Sequence, residues 1–402
     1  MSRCRVAIIA DDLTGALDAA APFAARGAST RVVIALERLE GALEAWEGER
    51  PEVIAVNTES RHLAAVAAAA RVERAARCLS RVEPRLWFKK IDSTLRGQVV
   101  AESLALRRFT GRRLVLAPAV PAQGRTVCNA EVHVDGIPLG ATSYGQDTRA
   151  APPPGALDRL FADQGLPMVR YRPAQGATLP VGDCVCDTAD QADLFHVYEA
   201  MATEASRWLA VGAAGLATIM AQHLFGCQRA RRHSLGDFGR RLYVVGSRSP
   251  RAVEQLARLC QASPRLPVSE ALRPQAEAPA GDEGAMVLVP GTGAGEESAE
   301  AVAAAMGERV AMQVAHWPGG AGVLLLTGGD TAMAALQRLD VESIEVDGEW
   351  APGVVLGRLD GDPLRAVITK AGGFGEPDLL AVLEDVLGAA DGRQGHCGQR
   401  RR

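Results

Sequence analysis

Short apolar runs alternate with amphipathic stretches through the first half of the chain. Apolar residues recur at helical spacing in the first such stretch, at Leu13, Leu17, Ala20 and Ala24. The apolar runs predict strands at residues 6–10, 31–36, 53–57, 86–91 and 114–117. Helices are predicted at 13–26, 63–79 and 98–109. This regular alternation predicts a largely parallel sheet with helices on its faces.

The pattern changes between about residues 128 and 187. Segment 132–139, with Asp135-Gly136 at its centre, predicts a β-hairpin. Cys184 and Cys186 lie in an apolar stretch without a second cysteine pair, so they predict buried residues of one strand, with a metal site as the alternative. The alternation then resumes with a helix at 190–205, a strand at 208–211 and a helix at 216–224.

A second α/β pattern follows a polar, basic stretch. Strands are predicted at 242–245, 286–289, 323–327 and 366–369, and helices at 251–260, 297–314, 331–339 and 378–387. A chain of 402 residues commonly forms more than one domain. We therefore expect two α/β domains, at 1–228 and 241–390, with a linker at 229–240 and a flexible tail at 391–402.

The charge and hydropathy of the chain exclude several classes of partner. The net charge of −4 provides no broad basic face for nucleic acid. No apolar run is long enough to span a bilayer, and the N-terminus leads into the first strand without a signal-peptide pattern. We therefore expect a cytoplasmic protein that binds small molecules and has neither nucleic acid nor membrane as a partner.

Lysine is rare in this chain. Of the 44 basic residues only Lys89, Lys90 and Lys370 are lysines, and all three end apolar runs. A compact ammonium group at such a position suits an anion site. The alternative is that a general bias toward arginine has replaced the other lysines and has left these three by chance.

Polar residues collect where the predicted strands of the first domain end, which is where ligands bind in open parallel sheets. The first strand leads into Asp11-Asp12-Leu13-Thr14-Gly15. A helix cap needs only one such acid or threonine, so this pair of acids favours a functional site over a simple cap.

Two further strand ends of this domain carry polar clusters. Residues 57–61 follow the third strand, with a polar turn as the alternative interpretation, and residues 89–97 form the densest cluster of the chain. Arg96 can bind a carboxylate through two hydrogen bonds, while Asp92 and Ser93 can bind hydroxyl groups. Arg125, after the fifth strand, can add another anion contact.

The second domain has glycine-containing turns after three predicted strands, at 246–250, 328–331 and 370–375. Backbone amides at a helix start bind phosphate, and glycine allows phosphate to approach closely. Each turn alone is common, but three in one domain predict a nucleotide site. The chain contains no G-x-x-x-x-G-K-[ST] motif, and no G-x-G-x-x-G follows its first strand, which disfavours a P-loop protein and an ordinary dinucleotide fold.

Taken in order, these stretches resemble the four-carbon acid sugar kinase family over nearly the whole chain. The motifs that carry the resemblance are ADDLTGA at 10–16, the Thr-x-Ser-Arg turn at 58–61, KKIDSTLRG at 89–97, PAQGRT at 121–126, GSRSP at 246–250, GGDTA at 328–332, PGVVLGRL at 352–359 and KAGGFGEPD at 370–378. The resemblance implies an N-terminal domain that binds the sugar acid, a C-terminal domain that binds ATP with Mg²⁺, and an active site in the cleft between them. The reaction implied is phosphorylation of the terminal hydroxyl of threonate, erythronate or a 3-oxo-tetronate to the 4-phosphate.

The resemblance also implies roles for individual residues. Catalytic roles fall on Asp12, Lys90 and Asp92. Substrate binding falls on Asp11, Thr14, Arg61, Ser93, Arg96 and Arg125. Nucleotide binding falls on Ser247, Ser249, Gly328, Gly329, Asp330, Thr331, Lys370, Gly372 and Gly373. No metal ligands are predicted, and a homo-oligomer is compatible with the resemblance.

The chain departs from the family at residues 128–131 and 141–155, so its choice of tetronate is not predicted. Two other classes of protein remain as alternatives. A hydroxy-acid dehydrogenase would share the two-domain plan, but the missing dinucleotide motif argues against it. A non-catalytic sensor of a sugar acid or nucleotide would not need several acids beside an anionic ligand, because they weaken its binding.

Overall fold

The computed structural model describes residues 4–146, 151–226, 239–273 and 284–388. The chain divides into two compact units, residues 1–230 and 231–402, called here the N-terminal and the C-terminal unit. All but the last two residues of the predicted linker at 229–240 lie outside the described residues, and so does the predicted tail at 391–402. The predicted domain boundaries therefore stay predictions.

The main sheet of the N-terminal unit is parallel throughout. Its strands are β1 (Val6–Ala10), β2 (Thr30–Val33), β3 (Val53–Asn57), β4 (Leu86–Lys90), β5 (Arg113–Ala117), β9 (Val169–Tyr171), β10 (Cys184–Cys186) and β11 (Trp208–Gly212). They are arranged in the order β2-β3-β1-β4-β11-β5-β10-β9. Every residue of β1, β3 and β4 is buried, as expected of central strands covered on both faces. Cys184 and Cys186 are buried in β10, which confirms the strand prediction.

Seven helices lie in the described part of this unit. They are α1 (Leu13–Ala24), α2 (Leu39–Ala45), α3 (Ala65–Ser80), α4 (Val99–Thr110), α5 (Leu157–Ala162), α6 (Gln191–Ala202) and α7 (Ala214–Phe225). Helix α1 follows β1 directly, and ten of its twelve residues are buried. The two that reach the surface are Thr14 and Asp18, which are four residues apart and so lie on one face of the helix.

A small antiparallel sheet interrupts the alternation. It consists of β6 (Arg125–Cys128), β7 (Glu131–Val134) and β8 (Ile137–Pro138). The predicted hairpin is confirmed, because Asp135 and Gly136 connect β7 to β8 with φ values of 51° and 80°. Strand β6 was not predicted, because its turn uses Asn129 and Ala130 at positive φ in place of the usual glycine.

The sheet of the C-terminal unit is mixed. Its strands are β12 (Arg241–Val245), β13 (Val268–Glu270), β14 (Ala285–Val289), β15 (Gly322–Thr327), β16 (Ser343–Ala351), β17 (Val354–Leu359) and β18 (Arg365–Lys370). They run in the order β13-β14-β12-β15-β18-β17-β16. The first five are parallel, whereas β17 is antiparallel to both β18 and β16. Strands β13, β16 and β17 were not among the predicted strands.

The helices described in the C-terminal unit are α8 (Pro250–Ala262), α9 (Ala299–Val314), α10 (Gly329–Arg338) and α11 (Leu379–Gly388). Helices α8 and α11 pack a continuous apolar core against the sheet, centred on the fully buried ring of Tyr243. The predicted α/β class with mostly parallel sheets is confirmed. Within the described ranges, no helix is both long enough and apolar enough to cross a membrane.

Candidate active site

The strand register of the N-terminal unit places three polar clusters side by side. Ala10 at the end of β1 aligns with Asn57 of β3 on one side and with Lys90 of β4 on the other. Because all three strands are parallel, the residues that follow them meet at the same edge of the sheet.

Arg61 lies at the centre of this edge. Its Nε and Nη2 donate to the two carboxylate oxygens of Asp11 at 2.8 and 2.9 Å, and its Nη1 donates to Asp12. Its Nη2 is also 3.8 Å from Oδ1 of Asp92. Burial raises the pKa of Asp11, but the charge and hydrogen bonds of Arg61 outweigh it and hold that pKa below the ordinary value. Arg61 therefore joins all three predicted acids.

Asp92 organises the loop that follows β4. It accepts hydrogen bonds from the amide of Thr94 at 3.1 Å and from the Thr94 hydroxyl, and it binds Nε and Nη2 of Arg96 at 3.0 and 2.9 Å. Burial raises the pKa of Asp92, but Arg61 and Arg96 reverse that effect and hold it well below its usual range. Asp92 is therefore an ionised anchor of this loop.

Asp12 is the N-cap of α1. Its Oδ1 accepts a hydrogen bond from the amide of Gly15 at 2.7 Å, while its Oδ2 faces Arg61. The side chain is 26% exposed, so it still reaches the surface of the cluster. Burial and the neighbouring charge of Asp11 raise the pKa of Asp12, although Arg61 opposes them. Asp12 is thus both the cap of α1 and a member of the charged cluster.

The two lysines of β4 point to different environments. Lys89 is fully buried and forms a 2.8 Å ion pair with Glu102 of α4, whose other oxygen accepts from Ser60 at 2.5 Å. The expectation that all three lysines suit an anion site is therefore wrong for Lys89, because its charge is neutralised inside the unit. Nζ of Lys90 donates to the carbonyl of Ile91 at 3.1 Å and lies 3.9 Å from Oδ2 of Asp18.

The remaining predicted substrate residues lie around this cluster. Thr14 is half-buried in the first turn of α1, and Ser93 is half-buried in the loop after β4. Arg125 at the start of β6 donates through Nη1 to the Gln123 carbonyl at 2.8 Å and through Nη2 to the Tyr144 hydroxyl at 3.3 Å. Its Nε is buried without a hydrogen-bond partner among the described residues. The positive charge of Arg125 also acts on Asp18, where it opposes the effect of burial on the pKa of that carboxyl.

Sequence reasoning missed two acids of this region. Asp18 lies next to Lys90, and its signal was a lone carboxylate four residues after Thr14 in an otherwise apolar helix. Glu102, the partner of Lys89, had no such signal, because its neighbours in α4 are ordinary helical residues and only the tertiary fold brings it to β4.

In the C-terminal unit, the three predicted turns also meet at one edge. Val245 at the end of β12 aligns with Thr327 of β15, which aligns with Lys370 of β18. The amide of Gly328 donates to the carbonyl of Lys370 at 3.0 Å. The structure therefore brings together the turns at 246–249, 328–331 and 370–373.

These turns pack so closely that side chains are excluded at several points. A Cβ atom on Gly372 would collide with the Ser247 hydroxyl and approach that of Ser249 to 2.9 Å, and one on Gly246 would collide with Thr331. A Cβ on the neighbouring Gly373 would meet no heavy atom within 4 Å. Glycine is therefore required at 372 by contact between turns and not at 373.

Two helices begin at this edge with different caps. Ser249 caps α8, and its hydroxyl accepts from the Ala252 amide at 3.2 Å. Gly328 precedes α10 at a φ of 107° and has no side chain with which to cap it. The first amides of α10, at Gly329 to Thr331, thus lack a side-chain cap and can bind an anion. Asp330 is exposed in this first turn.

Lys370 adds a positive charge to the same edge. Its Nζ is 3.5 Å from the carbonyl of Gly372. Burial, together with the nearby charge of Arg251, lowers the pKa of Lys370 to about 8. Two cations that repel each other beside open amides suit a polyanionic ligand. Arg251 was not predicted, although it directly follows the GSRSP motif. No group of three or more potential metal ligands occurs in the described ranges.

Comparison with known proteins settles the family. The model of a family described as "Sugar-binding N-terminal domain" matches residues 6–220, and one described as "Nucleotide-binding C-terminal domain" matches residues 242–380. A protein named D-threonate kinase from Bordetella bronchiseptica is 35% identical over 401 residues, which is 93% of this chain and 95% of that protein. The chain belongs to the four-carbon acid sugar kinase family. The predicted resemblance is thereby confirmed, and the dehydrogenase and sensor alternatives are not favoured.

More distant members of the four-carbon acid sugar kinase family carry other substrate names. A D-erythronate kinase from Heliobacterium modesticaldum is 28% identical and covers 94% of this chain and 96% of its own length. A 3-oxo-tetronate kinase from Methylobacterium radiotolerans is 27% identical, with 94% and 98% covered.

Solved structures agree with the fold. A Salmonella typhimurium protein described as a putative tRNA synthase has a TM-score of 0.76 at 20% identity, with 94% of this chain and 98% of that chain covered, and shows likeness of fold alone. A domain of unknown function from Bordetella bronchiseptica is 31% identical, with a TM-score of 0.52 and 96% and 98% covered. That structure is described as a domain-swapped dimer with bound citrate.

Proposed function

We propose that this chain is an ATP-dependent kinase that phosphorylates the terminal hydroxyl of a four-carbon sugar acid, giving the 4-phosphate. The observation that carries the proposal is the meeting of three glycine turns, open helix amides and Lys370 at one sheet edge, in a chain of this family. Phosphoryl transfer depends mainly on positioning and on stabilising charge, and these are the groups that do so.

The nucleotide belongs to the C-terminal unit in this proposal. The amides of Gly329 to Thr331 and the backbone at Gly372 and Gly373 bind phosphate oxygens, and Lys370 adds a positive charge. Ser247 lies under Gly372 and keeps this turn in place, while Ser249 acts through its cap on α8. Mg²⁺ bound with the phosphates would neutralise charge on them, and the exposed Asp330 in the first turn of α10 is the predicted carboxylate in this turn.

The sugar acid belongs to the charged edge of the N-terminal unit. Two cations are left for its carboxylate: the ammonium of Lys90 and the guanidinium of Arg125, whose Nε has no hydrogen-bond partner in the described part of the chain. Thr14 and Ser93, both half-buried beside the charged cluster, bind its hydroxyls. Arg61 and Arg96 are already held by Asp11, Asp12 and Asp92, so they act by fixing those acids.

D-Threonate is the first substrate to test. Its named kinase from Bordetella bronchiseptica is 35% identical to this chain, against 28% for the D-erythronate kinase and 27% for the 3-oxo-tetronate kinase. We also propose a cytoplasmic location and a homodimer, the latter because a relative of known structure is dimeric.

The direct test is ADP release by the purified protein with Mg-ATP and a panel of D- and L-threonate, D- and L-erythronate and their 3-oxo forms. We expect turnover on one of these acids, with D-threonate preferred. Absence of ADP release with every acid, in a protein that binds both ligands, would instead support a sensor. Failure to bind ATP would remove the kinase assignment.

A further inference from the structure

The four aspartates near the end of β1 differ in how many hydrogen bonds they accept. Asp11 accepts two from Arg61, Asp12 accepts one from Arg61 and one from the Gly15 amide, and Asp92 binds Arg96 and Thr94. Asp18 accepts none from any residue in the described ranges, and its nearest cation is Nζ of Lys90 at 3.9 Å. Asp18 is thus the carboxylate with the most capacity left for a ligand.

The position of Asp18 supports a role at the surface of the site. In a helix whose other residues are buried, Asp18 and Thr14 alone reach the surface, and they share one face. The Asp18 side chain is 15% exposed. This face lies beside Lys90, because a Cβ placed on Gly15 would be 3.4 Å from Nζ of Lys90. A hydroxylated ligand that contacts Lys90 therefore also lies close to Asp18.

Four charged groups act on the Asp18 carboxylate. Lys90 ends β4, Asp12 caps α1, Asp92 follows β4, and Arg125 begins β6. Burial raises the pKa of Asp18, the charges of Asp12 and Asp92 add to this, and Lys90 and Arg125 oppose it. A raised pKa makes a carboxylate a better proton acceptor near neutral pH. The pKa of Asp12 is raised as well, so the two acids differ in their partners: Oδ1 of Asp12 already accepts from the Gly15 amide and its Oδ2 from Arg61.

Resting on the proposed kinase function, we propose that Asp18 contacts the acceptor hydroxyl of the sugar acid and takes its proton, and that Asp12 is a positioning residue. The hydroxyl oxygen forms a bond to the γ-phosphorus of ATP while the bond from that phosphorus to the β,γ-bridging oxygen breaks. ADP leaves with that electron pair, and the hydroxyl proton passes to an Asp18 oxygen. Asp12 holds Arg61 and the first turn of α1, which keeps Thr14 and Asp18 in place.

The test compares Asp18→Asn with Asp12→Asn in steady-state kinetics over a range of pH, using the tetronate that the wild-type enzyme accepts best. We expect Asp18→Asn to lower kcat by roughly 10²–10⁴-fold with little change in KM. We also expect it to remove the acidic limb of the kcat profile, whereas Asp12→Asn keeps that limb. A fully active Asp18→Asn enzyme, or loss of the limb in Asp12→Asn alone, would overturn the assignment.

Asp18→Glu covers the case in which Asp18→Asn does not fold. Glutamate keeps a negative charge beside Lys90 but moves the carboxylate, so we expect unchanged thermal stability and a kcat reduced at least tenfold. Wild-type turnover by Asp18→Glu would overturn the assignment. If the wild-type protein turns over no tetronate, the proposed function and this assignment both fail. If the wild-type protein is active and the Asp18 variants are equally active, only this assignment fails.

Discussion

The carboxyl edges of the two sheets offer different kinds of groups to charged ligands. In the N-terminal unit the edge consists of charged side chains, with Arg61 in contact with Asp11 and Asp12 and close to Asp92. In the C-terminal unit it consists mainly of glycine, serine and backbone amides, with Lys370 as the predicted cation. The structure of the first edge is therefore held by paired side-chain charges, and that of the second by close packing of the backbone.

This difference matches the ligands that the two edges are proposed to bind. A sugar acid has hydroxyls that need acceptors and a carboxylate that needs donors, so mixed side-chain charges suit it. A phosphate group accepts hydrogen bonds on every side, so a turn with open amides suits it. Substitutions should therefore act through electrostatics at the first edge and through sterics at the second.

The largest effect is expected from Arg61→Met. It leaves buried acids without their shared cation, so we expect a loss of about 3–5 kcal/mol in the free energy of unfolding at pH 7, measured by urea denaturation. In the wild type the pKa values of Asp11 and Asp92 are lowered, so their stabilisation is present above the ordinary carboxyl pKa and is lost as the pH falls.

In Arg61→Met this relation is expected to reverse for Asp11. Burial then raises its pKa above the unfolded value, so the variant loses stability as the pH rises. The difference from the wild type should therefore shrink toward pH 4. The control is Arg81→Met, which removes a surface ion pair with Glu40 and should change stability by at most about 1 kcal/mol. Equal losses in the two variants would contradict the account.

The next effect in size is expected from Gly372→Ala. The added methyl group collides with the Ser247 hydroxyl, so the turns must separate, and we expect ATP affinity to fall about 100-fold, or about 2.8 kcal/mol. Calorimetric titration of ATP measures it. The matched control is Gly295→Ala, which lies outside the three turns and whose methyl group meets no heavy atom within 4 Å. Similar affinities in both variants would show that backbone packing does not control this edge.

A smaller effect is expected from the charge of Lys370. Because its pKa is about 8, the ammonium is protonated below that pH and neutral above it, so ATP affinity of the wild type should fall as the pH rises past 8. Lys370→Met should bind ATP about tenfold more weakly at pH 7, which is about 1.4 kcal/mol, and should lose this pH dependence. An unchanged pH dependence in that variant would assign it to another group.

Sequence patterns predicted the strand ends well because apolar runs stop where polar clusters begin. The ends of β1, β4 and β15, with Asp11, Asp92 and Gly328 after them, follow directly from this rule. The antiparallel β16 and β17 were not predicted, and β16 alternates apolar with acidic residues in place of the continuous apolar run that marks the other strands. A Pro352-Gly353 turn joins these two strands, with Gly353 at a φ of 73°.

The partners of individual charges could not be predicted from the sequence. Lys89 and Lys90 are adjacent, yet one pairs with Glu102 inside the unit and the other lies beside Asp18. Alternation along β4 places them on opposite faces, but which face meets which helix is decided by tertiary packing. For the same reason, the sequence did not predict the contact of Gly372 with Ser247. That contact depends on how β12, β15 and β18 align in the sheet.

The most direct test of the account is the position of phosphate in the product. Wild-type protein is incubated with Mg-ATP and D-threonate, and the mixture is examined by ³¹P NMR with proton coupling. We predict a new phosphomonoester resonance split by the two methylene protons at C4, which identifies transfer to the terminal hydroxyl. A resonance split by a single proton would contradict that regiochemistry, and the absence of any phosphomonoester with every tetronate would contradict the kinase assignment itself.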